Sequence, residues 1–241
     1  VMQPSEIQQI LSDRLARVEA TIAGACAKAR RSRDEVRLIA VTKTVSAAVT
    51  AMLPRLGVVD LAENRPQTLW GKVDAVPNVR WHFIGHLQRN KIDRTLPLMH
   101  WLHSVDSVRL LEALQSECVK QNRHLSIFIE VNASREEQKQ GFAHEDCAAL
   151  GPVLARCDRL SILGLMGMAA YSDDPENSRP TFAAMFALRE RLRQEWGLPL
   201  PELSLGMSND YVVAIEEGAT CVRLGTTLFE GLDGELPGVG G

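Results

Sequence analysis

RLIAVTKT (37–44) is an apolar strand that ends on a lysine. Its counterpart lies near the other end of the chain. There LSLGMSND (203–210) and CVRLGTT (221–227) give two more apolar strands, each closing in a small-residue turn, GMS and GTT. Continuous apolar runs of this kind are read as strands buried on both faces of a parallel sheet. A lysine at one strand end and backbone-rich turns at two others suit a phosphorylated aldehyde. The amine condenses with the carbonyl, and the phosphate rests on the turns.

Working outward from these stretches, apolar periodicity divides the chain into alternating helices and strands. A first helix follows Pro4–Ser5, with Ile7, Leu11, Leu15, Val18 and Ile22 on one face. Strands are expected at 36–42, 58–62, 79–85, 101–105, 125–132, 160–167, 202–206 and 220–225. Helices are expected over about 46–56, from Pro66, over 107–121, near 144–157, from about 180 to 196, and after GMS as far as a left-handed cap at Gly218. After the last strand the pattern offers a short tail alone.

Eight such units predict a single (β/α)8 barrel of the TIM type: an extra N-terminal helix over 1–34, the barrel over 36–230 and a frayed tail over 231–241. The alternative is a doubly wound open sheet. That fold places a G-x-G-x-x-G turn after its first strand, and here the turn is VTKTVS, without glycine.

Composition narrows the function classes. The 241 residues are 45% hydrophobic and 24% charged, with a net charge of −3 and no long run of one sign. Nucleic-acid or membrane attraction is therefore not expected. No apolar run approaches the roughly 20 residues that span a bilayer, and VMQPSEIQQI lacks the pattern of a secretory signal. Cys26, Cys118, Cys147, Cys157 and Cys221 are scattered and form no C-x-x-C pair, so neither disulfides nor zinc is expected and a cytoplasmic location is.

In a (β/α)8 barrel, active sites lie at the C-terminal strand ends, and phosphate commonly binds after strands seven and eight. Both turns fall there. GMS (206–208) is expected to open a helix, whose N-terminus attracts anions; Gly225 lets backbone approach, and Thr226 and Thr227 add hydroxyls. Each turn alone reads equally as a capped turn, and their joint placement favours phosphate. Lys43 shares a strand face with Ile39 and Val41, so it sits at the barrel mouth if those point inward. An amine partly withdrawn from water there can attack an aldehyde.

Arg223 shares a face with Cys221 and Gly225, opposite Val222 and Leu224. An inward guanidinium needs a partner. Two remain open: a pyridine nitrogen, which would point to pyridoxal 5'-phosphate with its electron sink muted, or an ion pair with Glu130. Asn64 either contacts such a ring or caps the helix from Pro66. His82, His86 and His103 look like metal ligands, but no carboxylate or cysteine completes a set, and a metal site is not expected. Lys91 and Lys139 are either steering charges for an anion or plain surface lysines.

Nearly the whole chain resembles the pyridoxal phosphate homeostasis (YggS/PROSC) family, whose fold is like the N-terminal barrel of alanine racemase. The resemblance rests on AVTKT, AENRPQ, WHFIGHLQRNK, HSVD, VNASREEQKQG, GLMGM, LSLGMSND, AIEEGAT and VRLGTTLF. It implies that Lys43 holds the cofactor covalently, that Ser208, Gly225 and Thr226 hold its phosphate, and that Arg223 faces the pyridine nitrogen. It also implies that Asn64, His86, Met166 and Met207 line the ring. The chain departs from the family pattern at Ala62, Val45–Ser46, Gly167 and Glu230, where the family commonly has glycine, Lys-Pro, threonine and glycine.

The resemblance further implies a non-catalytic carrier of pyridoxal phosphate, acting in vitamin B6 homeostasis, with apo-enzymes as recipients. The competing expectation is an amino-acid racemase. That chemistry needs a tyrosine opposite the lysine, brought by a second domain across a dimer, and the sequence runs only about fifteen residues beyond strand eight. Of the two tyrosines, Tyr171 and Tyr211, only Tyr211, beside the phosphate turn, is a candidate. A monomer is expected.

Overall fold

A computed structural model describes residues 2–134 and 140–233. Eight parallel strands close into a barrel in chain order, each paired with its sequence neighbours and β1 with β8. They are β1 (Arg37–Val41), β2 (Asp60–Glu63), β3 (Arg80–Phe83), β4 (Trp101–Val105), β5 (Leu125–Glu130), β6 (Leu160–Met166), β7 (Glu202–Met207) and β8 (Cys221–Leu224). Their helices are α1 (Pro4–Lys28), α2 (Ala47–Thr50), α3 (Pro66–Lys72), α4 (Ile92–Thr95), α5 (Val108–Lys120), α6 (Gly151–Leu154), α7 (Arg179–Trp196), α8 (Tyr211–Glu216) and α9 (Thr226–Phe229). Among the described residues, no helix is long and apolar enough to cross a membrane.

The two-residue alternation of each strand sorts its side chains into two apolar regions. Leu38, Ala40, Leu61, Val222 and Leu224 face outward into the layer between barrel and helices. Ile39, Val41, Ala62, Phe128, Met166 and Cys221 meet inside the barrel. Helix α1 buries Ile7, Leu11, Leu15, Val18 and Ile22 along one stripe and packs on α8 and α9. Arg14 of α1 donates to the Leu228 carbonyl at 2.8 Å. The added helix therefore braces the outer side of the last two βα units.

Several helices differ from the expected spans. The one expected over 46–56 stops at Thr50, and Pro54 starts a separate 3-10 turn, since proline offers no N–H to continue the ladder. That expected near 144–157 is a 3-10 turn, Cys147–Leu150, followed by α6, with Gly151 and Pro152 at the junction. Strand eight is followed by α9 rather than by a tail alone. The tail expected over 231–241 lies outside the described residues from 234 onward.

The turn after β7 also departs from expectation. Helix α8 opens at Tyr211, not at GMS, and the Asp210 carboxylate accepts the Met207 N–H at 2.7 Å. Gly206 has φ +84°, and a Cβ there would meet the Ala214 Cβ at 2.6 Å and the Tyr211 Cα at 2.9 Å. Conformation and space both demand glycine.

Candidate functional site

At the C-terminal ends of the strands lies a cavity of about 490 Å³. Val41, Ile84, Met166, Met168 and Phe229 give it apolar walls, and Lys43, Thr44, Asn64, Ser208, Arg223 and Thr226 give it polar groups. Mostly apolar walls with a few convergent polar groups are the usual make-up of a small-molecule site. Two cavities of similar size, about 530 and 640 Å³, lie at the opposite end of the barrel and are lined mainly by charged side chains such as Arg31, Glu35 and Arg37. They sit on the face that (β/α)8 barrels reserve for stability rather than chemistry.

Ile39 and Val41 do point into the barrel, and Lys43 follows at the mouth, exposed and facing the cavity. The residue before it is firmly held. Lys72 of α3 donates to the Thr42 carbonyl at 2.7 Å and to Glu63 at 2.6 Å, and the Thr42 hydroxyl donates to the same Glu63 oxygen at 2.6 Å. Glu63 and Lys72 are both buried, so the pair anchors the end of β1 from the helix layer. The flanking departures are structural: Val45 is buried, and the Ser46 hydroxyl caps α2 by accepting the Val49 N–H at 3.3 Å.

The two turns meet although 17 residues separate them. The Ser208 hydroxyl oxygen accepts the N–H of Gly225 at 3.3 Å and of Thr227 at 3.1 Å. Gly225 caps α9, and Thr226 is its first residue, so the helix N-terminus at this spot belongs to α9 and not to α8. Two backbone N–H groups and a hydroxyl thus converge at one spot, and donors clustered in this way can hold an anion. Glu230 and Asp233 add two carboxylates to the rim.

Arg223 is 4% exposed and points inward. It donates through Nη1 to the Ser204 carbonyl and hydroxyl, both at 2.6 Å, and through Nη2 to the Gly167 carbonyl at 3.1 Å. Backbone and a hydroxyl thus take the place of the ion pair with Glu130 considered above. Glu130 remains nearby: its Oε2 is buried without a hydrogen-bond partner, and burial, helped by Asp106, pushes its pKa up to about 7.

Asn64, Met166 and Met207 line the cavity. Asn64 passes so close to the end of β3 that a Cβ on Gly85 would overlap the Asn64 carbonyl oxygen, at 2.0 Å. His86 is not among the lining residues. Its ring is half exposed and meets Asp106 at 2.8 Å through Nδ1. Lys91 stacks over Trp70 away from the cavity, and Lys139 lies outside the described residues. Tyr211 is buried and lines a separate cavity with Arg14, Arg17 and Thr227, while Tyr171 is 82% exposed. Neither reaches the mouth cavity.

Sequence reading missed Glu63, Lys72 and Ser204. For Glu63 a signal existed: strand alternation turns it away from Ala62 toward the helix that carries Lys72.

The comparisons agree with this fold. Residues 15–233 match the family described as alanine racemase, N-terminal domain. A pyridoxal phosphate homeostasis protein of Aquifex aeolicus is 38% identical over 219 residues, covering 90% of this chain and 96% of its own. One of Pseudomonas aeruginosa is 35% identical, covering 94% and 98%. The chain belongs to the pyridoxal phosphate homeostasis protein family. Among solved structures, PipY of Synechococcus elongatus with PLP bound has a TM-score of 0.80 at 30% identity, covering 91% of this chain and 99% of that one. An alanine racemase of Clostridium difficile shares the fold, with a TM-score of 0.71 at 13% identity and only 56% of its length covered. Family membership and the barrel thus coincide with the expectation from the sequence blocks.

Proposed function

We propose that the chain binds pyridoxal 5'-phosphate in the mouth cavity, covalently through Lys43, and acts in pyridoxal phosphate homeostasis as a non-catalytic carrier. One observation carries this reading. A lysine just beyond the end of β1 and the Ser208–Gly225–Thr227 donor cluster between the ends of β7 and β8 share a single cavity with a buried arginine. When bound, the cofactor supplies a reactive aldehyde and a pyridine ring able to draw electrons.

This chain's residues would treat it as follows. The Lys43 amine would hold the cofactor, acting as the nucleophile toward its aldehyde. Ser208, Gly225 and Thr226 hold the phosphate, with the Thr227 N–H beside them. Val41, Asn64, Met166 and Met207 flank the ring. Arg223 would donate to the ring nitrogen and, having no lone pair to accept with, would leave it without a proton. That mutes electron withdrawal and suits storage better than turnover. Among the described residues, no tyrosine lines the cavity as a second base opposite Lys43.

The proposal extends to a single barrel domain, monomeric, working in the cytoplasm and delivering cofactor to apo-enzymes. The free, buried state of all five cysteines accords with a reducing compartment.

The test is the absorbance spectrum of the purified protein with added pyridoxal phosphate, then borohydride reduction and peptide mapping. A visible band with reduced cofactor fixed on Lys43 is expected. Absence of the band, or label confined to other lysines, would sink the assignment. Robust alanine, serine or glutamate racemisation lost in Tyr211→Phe would replace the carrier with a racemase.

A further inference from the structure

The inside of the barrel below the cavity holds a line of polar side chains that binding of a ligand at the mouth does not explain. Asp60 of β2, His82 of β3, His103 of β4, Ser204 of β7 and Arg223 of β8 are all buried. Asp60 Oδ1 lies 2.9 Å from His82 Nε2. His82 Nδ1 lies 3.0 Å from His103 Nε2. His103 Nδ1 lies 2.8 Å from Ser204 Oγ, which accepts from Arg223 Nη1 at 2.6 Å. At the far end Asp60 is gripped by Arg80, with nitrogen–oxygen distances of 2.7 and 2.6 Å.

With both imidazoles neutral, the two ends fix the direction of every hydrogen bond between them. Arginine can only donate, and an ionised carboxylate can only accept. Asp60 is ionised: burial opposes this, but the His82 and Arg80 hydrogen bonds outweigh it and hold its pKa far below the usual carboxylate range. His82 must therefore present Nε2–H to Asp60. A neutral His82 then accepts at Nδ1, so His103 donates from Nε2. His103 accepts at Nδ1, and the Ser204 hydroxyl, already accepting from Arg223, gives its hydrogen there. The reversed arrangement would set a bare His82 nitrogen against the Asp60 carboxylate and leave the Ser204 hydrogen unplaced.

Both imidazoles stay neutral, because burial penalises the cation. Their surroundings enforce it. Phe128 stacks on His103 with centroids 4.2 Å apart, and Trp101 meets His82 edge-on at 5.0 Å.

We infer that Asp60, His82, His103 and Ser204 form a one-way hydrogen-bonded strut that holds the Arg223 guanidinium in a single orientation at the cavity floor. These four are positioning residues. The strut does not conduct protons, since a relay needs every member to give and to take, and Arg223 cannot take. For a pyridine nitrogen above Arg223, a point that rests on the proposed function, the consequence is a fixed donor and no route for a proton from the interior.

The test starts with histidine side-chain 15N NMR on the wild-type protein without added ligand. His82 and His103, assigned with His82→Gln and His103→Gln, should each show protonated Nε2 and bare Nδ1 at neutral pH. An imidazolium, or an Nδ1–H form, at either position overturns the strut. This readout needs no cofactor, so it decides the strut even if the pyridoxal phosphate reading fails.

The second arm is Ser204→Ala, which cuts the chain without removing a charge. It should weaken pyridoxal phosphate binding about tenfold, mix the His103 tautomers, and shift the pH at which the visible band of the bound cofactor titrates. Ser204→Thr, which keeps the hydroxyl, should restore both signatures. A folded Ser204→Ala protein with wild-type tautomers and a wild-type band titration overturns the proposal, because lost packing alone would move stability and neither signature.

Discussion

The mouth of the barrel and the space directly beneath it are built from opposite materials. At the mouth, Lys43 is exposed, Met207 is 38% exposed, and the Ser208 hydroxyl rests on two backbone donors at 3.1 and 3.3 Å. A few residues lower, His82, His103 and Ser204 are fully buried and hydrogen-bonded in series. Groups at the mouth have water as an alternative partner, so changing them costs the fold little. Groups in the interior have none, and each left unpaired carries its whole desolvation penalty. The difference separates residues whose loss should show as lost binding alone from residues whose loss should show as lost stability as well.

The sharpest break of that comparison is Lys43→Ala. It should abolish borohydride-fixable cofactor altogether, while urea titration shows a stability change within about 0.5 kcal/mol, as for ordinary exposed positions. Phosphate affinity should largely persist, because the turns remain, and isothermal titration with inorganic phosphate would measure it. A large loss of stability would show the lysine to be a structural residue.

His103→Ala is the converse. It removes a fully buried ring and unpairs His82 and Ser204 at once, so chemical denaturation should report a loss of about 3 kcal/mol. A change under about 1 kcal/mol would mean that the interior tolerates disorder as well as the mouth does.

Acid should find the interior first. Burial lowers the pKa of both His82 and His103, so the unfolded chain, with histidine near 6.5, binds more protons than the folded one below that pH. Stability then falls as pH drops from about 6.5. Glu130 acts the other way. Its folded pKa is raised to about 7, so its contribution is present in acid and lost as pH rises through that value. Two histidines outweigh one glutamate, and melting temperature should decline from pH 7 to pH 5. In Glu130→Gln the decline should steepen, and the protein should melt a few degrees higher at pH 8. A flat profile would contradict the neutral imidazoles.

The smallest effect belongs to the rim. Glu230 places a carboxylate in the cavity that holds the proposed anion seat. Glu230→Gln should tighten pyridoxal phosphate binding roughly two- to fivefold, with the gain shrinking in salt, as expected for exposed charges. No gain at low salt would show that the carboxylate is turned away from the phosphate.

The sequence carried the barrel because its information is local. Apolar runs ending in small residues mark the strands, and α1 is legible from Ile7, Leu11, Leu15, Val18 and Ile22 at helical spacing. Helix lengths were less legible where Pro54 and Pro152 split them, and α9 is too short for any periodicity to reveal. Within the site, Lys43, Ser208, Arg223 and Gly225 could be singled out because strand ends in such a barrel converge. His82 and His103 drew attention as possible ligands, but their partners Asp60 and Ser204 lie 22 and 101 residues away.

By itself, then, the sequence determined which residues stand at strand ends and which side of each strand they occupy, since a period of two needs no knowledge of the partner strand. Tertiary structure alone decided what those side chains meet. It set the Ser208 hydroxyl on the N–H groups of Gly225 and Thr227, closed the Glu63–Lys72 pair behind Thr42, and gave Arg223 to Ser204 and Gly167 rather than to Glu130. Barrel closure sets the register between distant strands, and a hydrogen bond, unlike burial, depends on that register to within a fraction of an ångström.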